Sequence, residues 1–195
     1  MPLLAYRRVV FHLAVAAAVS AAALPAMAAD PSQLVQSTAQ QVIDIIKTKT
    51  GADRQAAILQ VLQTKFDLPA MGRSALGTHW NQATEDQRTR FLKAVATAEA
   101  RAYSERFGQY GGQTLTVGKV TPRANGVTIV DSRLKQTTGQ PIQHEGEGRN
   151  DRITDVKVEG VSMVMTRRSD FNSYIQNHGG KVDALVQELE TRAAR

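Results

Sequence analysis

The chain has 195 residues, a formal net charge of +6 and no cysteine. The absence of cysteine excludes disulfides, thiolate metal sites and thiol catalysis, so stability must come from burial of a hydrophobic core. Basic and acidic residues alternate along the chain without a run of either sign, which indicates a solvated surface and argues against a nucleic-acid-binding face.

The first 28 residues have the pattern of a secretory signal peptide. Arg7 and Arg8 form a positive start, a long uncharged apolar run follows, and Ala26-Met27-Ala28 matches the small-x-small site of signal peptidase. The apolar run is shorter than the roughly 20 residues that a membrane-spanning helix needs, and no stop-transfer charges follow it. The sequence therefore predicts export from the cytoplasm with cleavage near Ala28.

After the leader, apolar residues recur at helical spacing. Asp30 is predicted to cap a first helix, which we expect to end at Gly51, and Asp53 is predicted to cap a second one. A third, short helix is expected to begin at Asp67 and to close at Gly77.

A capping box precedes the longest predicted helix. Thr84 and Gln87 have the spacing at which each side chain bonds the free amide of the other. The helix is expected to reach about Phe107, and its apolar residues cover roughly half of its circumference, which is wider than the usual stripe of a surface helix. This width indicates contact with more than one neighbouring element.

The periodicity changes from helical to alternating after Gly111-Gly112. Turn signals at 125–126, 139–141 and 150–151 separate segments of alternating apolar and polar residues, which is typical of an antiparallel meander. The chain returns to helix after Gly160, with a break at Gly179-Gly180. Helices, then about four strands, then helices predict a single α+β domain.

No catalytic motif stands out, and no metal or organic cofactor is expected. The densest cluster of metal-binding residue types is His144, Glu145 and Glu147, but on a strand the histidine would face away from both glutamates. We interpret His79 as a structural partner at a helix end, and His178 as a C-terminal cap.

Two blocks of sequence resemble a known family. Residues 66–73, which read Phe-Asp-Leu-Pro-Ala-Met-Gly-Arg, and residues 76–80, Leu-Gly-Thr-His-Trp, resemble the first signature of the MlaC-type periplasmic phospholipid-binding proteins, also called toluene-tolerance or ABC-transporter auxiliary proteins. Residues 159–164 and 168–171 resemble the second signature, and Tyr103 falls where the family has a tyrosine on its long helix.

The resemblance implies a fold, a location and a function. It implies a cone-like domain over residues 30–195, in which a curved antiparallel sheet and several helices enclose a deep apolar cavity for acyl tails. It further implies a monomeric periplasmic carrier, not an enzyme. Such a carrier moves phospholipid between an outer-membrane lipoprotein complex and an inner-membrane ABC transporter with an MCE-domain ring. A hopanoid is the alternative lipid, because a related branch of the family accompanies hopanoid synthesis.

From this resemblance we derive a set of candidate site residues. Arg167 or Arg168 is expected either to approach the headgroup phosphate or to form a surface ion pair. The cavity lining is expected to comprise Phe66, Met71, Leu76, Tyr103, Phe107, Leu115, Val117, Ile129, Val156, Val158, Met163 and Met165.

Two other classes of function remain open from the residues alone. A periplasmic enzyme of the same cone-like fold would use a buried Asp131 or His144 in the cavity. An adaptor would present an apolar groove to a partner peptide and would carry no extractable lipid.

Overall fold

The computed structural model describes residues 30–106, 112–135, 140–149 and 151–194. Phe107, which is one of the expected cavity residues, lies outside these ranges. The helices are α1 Pro31–Thr48, α2 Gly51–Lys65, α3 Leu68–Leu76, α4 His79–Gln82, α5 Glu85–Arg106, α6 Met163–Asn177 and α7 Val182–Ala194. The strands are β1 Thr114–Pro122, β2 Thr128–Lys135, β3 Ile142–Arg149, β4 Arg152–Val158 and β5 Val161–Ser162.

Side-chain caps start four of the described helices, and three of these caps are predicted by the sequence. The Asp30 carboxylate accepts a 2.9 Å hydrogen bond from the amide two residues later, and the Asp67 carboxylate accepts one of 3.0 Å from the amide three residues later. Before α5, the amide of Thr84 donates to Gln87 Oε1 at 3.0 Å and the amide of Gln87 donates to Thr84 Oγ1 at 3.2 Å. The predicted capping box is confirmed.

The boundary between the first two helices differs from the prediction. The first helix ends at Thr48, and Gly51 is the first residue of α2 rather than the end of α1. Asp53 therefore lies in the first turn of α2 and not at its cap. A cap and a first-turn aspartate have similar sequence signals, because the positive end of the helix dipole favours an acidic residue at both places.

The strands form one antiparallel sheet in the order β1-β2-β3-β4-β5. This meander confirms the predicted fold class, with the two-residue β5 as a strand that the sequence pattern did not separate. The predicted turn at Asn125-Gly126 joins β1 to β2, and both residues have positive φ angles, 60° and 70°. Asn and Gly are the residues that adopt this backbone conformation at least cost.

The helices pack on one face of the sheet. Helix α1 lies against β1 and β2, while α2, α3 and α6 contact β4. The approach of α1 is close at Gly146 of β3, where an added Cβ atom would lie 3.1 Å from Cγ2 of Val35. A glycine at this position therefore lets the helix lie directly on the strand.

Two apolar clusters fill the helical layer. The first joins α3, α5, α6 and α7, and at its centre Phe91 meets Phe171 edge-on with ring centroids 5.6 Å apart. The second joins α1, α2 and the C-terminal half of α5, where Ala100 is fully buried. The long helix α5 contributes to both clusters, which accounts for its wide apolar surface. Within the described ranges, no helix is both long enough and apolar enough to cross a bilayer.

Candidate functional site

The strand register gathers apolar side chains on the helix-facing side of the sheet. Leu115 pairs with Leu134 and Val156 with Gly146, so residues of four strands share this face. Only Val130 among them is fully buried, at 2 % exposure, and the others are half-buried. This set, called here the apolar sheet face, consists of Leu115, Val117, Val130, Leu134, Ile142, Val156 and Val158.

Four of the expected cavity residues belong to the apolar sheet face: Leu115, Val117, Val156 and Val158. Leu134 and Ile142 share it and were missed. Leu134 had a signal in the sequence, because it lies four positions after Val130 on the same strand and therefore on the same face. Ile142 had none, because no other aliphatic residue of β3 stands in alternation with it.

Ile129 lies on the opposite side of the sheet. It pairs with Thr121 of β1 and Glu147 of β3, and its neighbour Val130 occupies the apolar sheet face. Consecutive side chains on a strand point to opposite faces, so Ile129 shares its side with Asp131. The expectation that Ile129 lines one cavity together with Val117 and Val156 is therefore wrong.

The remaining expected lining residues lie in or beside the helical layer. Phe66 and Tyr103 pack against the second apolar cluster, between α2 and α5. Met71 and Leu76 pack in the first cluster, where Leu76 is 2 % exposed. The other two lie at the start of α6, where Met163 is half-buried and Met165 is 56 % exposed. Phe66 lies next to the sheet, where its backbone forms a bridge with Ile153 of β4, whereas Leu76 belongs to the packed core of the helical layer.

The two arginines expected near a headgroup have different surroundings. Arg167 donates to both carboxylate oxygens of Glu99, from Nε at 2.5 Å and from Nη2 at 3.0 Å, and these bonds raise the pKa of Arg167. Of the two expectations for Arg167, the structure matches the ion pair. Arg168 is exposed, and its side chain lies across Gly77, where an added Cβ atom would be 2.9 Å from Nε.

Tyr103 places a polar group at the edge of the second cluster. Burial raises the pKa of its phenol because a phenolate loses its hydration there, and the negative charge of Glu99 acts in the same direction. The phenol therefore stays neutral over the physiological pH range. The charge of Arg167 acts on the pKa of Tyr103 in the opposite direction to that of Glu99.

Two open clefts lie among the helices. One, of about 330 Å³, is bounded by the end of α3 and by α6, and its lining includes Met165 and Arg168. The other, of about 380 Å³, lies between α5, α6 and α7, with Phe171 and Leu189 in its lining and Glu99 and Arg167 beside them. The lining of both clefts is helical or belongs to the turn that follows α3, so neither cleft is formed by the apolar sheet face.

Comparison with known proteins gives the family. The family model described as MlaC protein matches residues 36–191, which is most of the chain. The chain belongs to the MlaC family. The family resemblance read from the signature blocks is thereby confirmed.

A solved structure supports the MlaC fold. The protein is similar to the phospholipid-binding protein from Ralstonia solanacearum, which was solved in complex with a phospholipid. The TM-score is 0.69 at 20 % sequence identity, and the match covers 85 % of this chain and 98 % of that chain. Mixed helices on a curved antiparallel sheet are therefore the architecture of both proteins.

The residues considered for catalysis do not converge in this MlaC-family chain. Asp131 pairs with Glu145 on the polar side of the sheet, whereas His144 pairs with Ser132 on the apolar side. His144 Nδ1 lies 3.2 Å from the carbonyl oxygen of Ile142. The register confirms that His144 faces away from Glu145, and no three His, Asp or Glu side chains gather in a metal-binding arrangement within the described residues.

The other two histidines within the described residues have structural partners. His79 is buried, and its Nε2 lies 3.1 Å from Asn172 Oδ1 of α6. His178 caps α6, with Nδ1 2.7 Å from the carbonyl oxygen of Tyr174, and its ring stacks on that tyrosine at 4.0 Å. Both interpretations made from the sequence are confirmed.

Proposed function

We propose that this protein binds phospholipid with the acyl tails against the apolar sheet face and the headgroup in solvent. One observation carries the proposal: apolar side chains from four strands face the helices and yet remain half-buried. A packed core would bury such side chains almost completely. Membership of the MlaC family and the similarity to a protein solved with phospholipid support the same ligand.

The physical need for such a site follows from the ligand. Burying one methylene group is worth about 0.8 kcal/mol, so two tails of about sixteen carbons oppose exposure to water by roughly 25 kcal/mol. A lipid therefore crosses an aqueous gap only if its tails stay covered. The carrier needs no cofactor other than the lipid and no catalytic group.

We further propose that the protein acts in the periplasm as a lipid shuttle. Its leader has the pattern of an export signal, and the family resemblance implies an outer-membrane lipoprotein complex and an inner-membrane ABC transporter with an MCE-domain ring as its partners. The chain would meet both as a monomer. A hopanoid in place of phospholipid would leave the role of the apolar sheet face unchanged, since both ligands are recognised by apolar contact.

The lipid-binding proposal is tested with a pair of matched substitutions. Val156 and Ile129 are both half-buried strand residues, but they lie on opposite faces of the sheet. Val156→Lys places a charge on the apolar sheet face, whereas Ile129→Lys places the same charge beside Glu147 on the polar side.

Mass spectrometry of organic extracts from the purified proteins gives the readout. We expect bound lipid from the wild type and from Ile129→Lys, and little or none from Val156→Lys, with both variants folded by circular dichroism. Equal lipid in the two variants would contradict the proposed site. No lipid in the wild type would contradict the function, and a hopanoid in the extract would identify the alternative ligand.

Shuttling has a separate test. Donor vesicles carrying a fluorescent phospholipid are mixed with unlabelled acceptor vesicles, and transfer is followed with and without the protein. We expect the rate of lipid transfer to rise with the concentration of wild-type protein and not to rise when Val156→Lys is added. A transfer rate that does not depend on the wild-type protein would mean that the protein binds lipid but does not transfer it.

A further inference from the structure

Exposed apolar side chains gather where β5 passes into α6. Val161 and Met165 are each 56 % exposed, although both are large apolar residues. Val161 directly precedes Ser162, the N-cap of α6, and Met165 follows that cap by one turn. Val120, the other large apolar residue exposed within the described ranges, is 37 % exposed and lies on β1, at the far edge of the sheet.

This corner is continuous with the apolar sheet face. Val161 stands directly opposite Val158 in the register between β4 and β5, and side chains at opposite positions share a face. A path of apolar side chains therefore runs from the half-buried interior at Val158 to the exposed edge at Val161. An exposed apolar rim that adjoins an apolar interior suits the entry of a hydrocarbon chain.

A free positive charge lies beside these residues. Arg168 follows Met165 by three positions, which puts both on one face of α6, and both line the cleft of about 330 Å³. Within the described ranges, Arg168 has no hydrogen-bond or ion-pair partner.

The other charged residues of segment 155–170 all have hydrogen-bond or ion-pair partners. Asp155 accepts bonds from two backbone amides, and Lys157 bonds to Glu145. Glu159 accepts a bond from the Gln143 amide. Arg167 and Asp170 are paired as well, the former with Glu99 and both with each other. Arg168 is therefore the uncompensated charge of this segment.

The start of α6 itself does not supply an anion site. The amide of Val164 donates to Asp155 Oδ1 at 3.2 Å, and the amide of Met165 donates to Ser162 Oγ at 3.0 Å. These two donors are already satisfied by the protein. An anion at this corner would be held by Arg168.

We infer that Val161, Met165 and Arg168 form a membrane-contact surface for a bilayer that contains anionic phospholipid. Arg168 pairs with a headgroup phosphate while Val161 and Met165 enter the headgroup layer, a combination typical of residues at a membrane interface. This inference rests on the proposed function, because a lipid carrier must meet a bilayer or a lipid-loaded partner. The positive charge of Arg168 and the exposed apolar side chains of Val161 and Met165 together favour a bilayer over a lipid-loaded partner.

The test measures binding of the lipid-loaded, leader-free protein to vesicles by co-sedimentation. Vesicles of phosphatidylcholine with phosphatidylglycerol are compared with vesicles of phosphatidylcholine alone. The variants are Arg168→Gln and the double substitution Val161→Ser with Met165→Ser. Matched controls are Arg133→Gln, an exposed arginine on the polar side of the sheet, and Ile129→Ser, which shortens an apolar side chain on that same polar side.

We expect Arg168→Gln to weaken binding to the anionic vesicles roughly fivefold, the effect of one basic residue at an anionic surface. The double substitution should weaken binding to both kinds of vesicle, and the controls should match the wild type. Wild-type binding by Arg168→Gln and by the double variant would overturn the inference. Wild-type protein that binds neither kind of vesicle would also overturn it, in favour of a protein interface.

The lipid content of the same preparations separates this inference from the proposed function. The contact-surface variants should retain bound lipid, because their substitutions lie outside the half-buried part of the apolar sheet face. A wild-type protein without lipid would refute the proposed function, whereas lipid-loaded variants with unchanged vesicle binding would refute the contact surface alone.

Discussion

Arg167 of α6 reaches Glu99 of α5 and binds both of its carboxylate oxygens, at 2.5 and 3.0 Å. The two residues are 68 positions apart, and the pair stands beside the cleft between α5, α6 and α7. The side chains are 37 % and 22 % exposed, so solvent screens the pair only in part. The pair therefore joins α6, which follows the sheet, to α5, the longest of the helices before it.

Removing this pair should lower stability measurably. We expect Glu99→Ala to reduce the free energy of unfolding by about 1 kcal/mol, since a two-point, half-buried ion pair exceeds the usual surface pair. The reference is Glu105→Ala, which removes the exposed Arg101–Glu105 pair on the same helix and should cost about 0.3 kcal/mol. Urea unfolding measures both.

A double-mutant cycle with Arg167→Ala shows whether the loss belongs to the pair. The two single substitutions should be non-additive, because either one removes the same interaction. Additive losses would show that Glu99 and Arg167 contribute independently.

The contact between Gly146 and Val35 leads to a second prediction. Gly146→Leu forces a large side chain into the space where Cγ2 of Val35 would lie 3.1 Å from a Cβ atom. Overpacking of this kind costs about 1–3 kcal/mol. Adding Val35→Ala should restore part of the loss, because it vacates the same space.

The control for this substitution lies on β1. At Gly118 the nearest atom to an added Cβ would be 3.5 Å away, which is an ordinary contact. Thermal unfolding should therefore show a smaller shift for Gly118→Leu. If Val35→Ala did not restore stability to the Gly146→Leu variant, the close approach of α1 would not be the reason for a glycine at position 146.

The pH dependence of stability provides a third prediction. The folded protein holds the Tyr103 phenol neutral because burial raises its pKa above the value of about 10 in an unfolded chain. The stability from this group is complete below about pH 10 and is lost as the pH rises toward the folded-state pKa, since the unfolded chain releases its proton first.

Tyr103→Phe should remove that dependence. Urea unfolding at about pH 8 and about pH 11 brackets the unfolded-state pKa of tyrosine. The wild type should lose more stability between the two pH values than Tyr103→Phe does. Equal losses would mean that the phenol titrates alike in the folded and unfolded states.

The leader supplies a fourth prediction. Expression of the full chain in a bacterium should yield a periplasmic protein whose first residue is Ala29, because the small side chains of Ala26 and Ala28 fit signal peptidase. Ala28→Leu should leave the precursor uncleaved, while Met27→Leu, at the position that tolerates any residue, should be processed normally. Cell fractionation and intact mass would check both, and an uncleaved wild type in the cytoplasm would contradict the export signal.

Much of the fold was readable from local chemistry. The Asp30 and Asp67 caps, the Thr84–Gln87 box and the Asn125-Gly126 turn depend on residues two or three positions apart, so their interactions follow from sequence spacing. The register of the sheet was less accessible. Ile129 and Val117 are both apolar strand residues, and only the pairing of the strands shows that they lie on opposite faces.

The sequence by itself determined the alternation of helices and strands, the caps and turns that bound them, and the membership of the MlaC family, because each depends on local spacing or on signature blocks. Only the tertiary structure decided that Arg167 is paired while Arg168 is free, and that Val161 continues the apolar sheet face to an exposed edge. Arg167 and its partner Glu99 are 68 positions apart, and the exposure of Val161 depends on which elements cover it. Both are set by how whole elements pack, which no local pattern encodes.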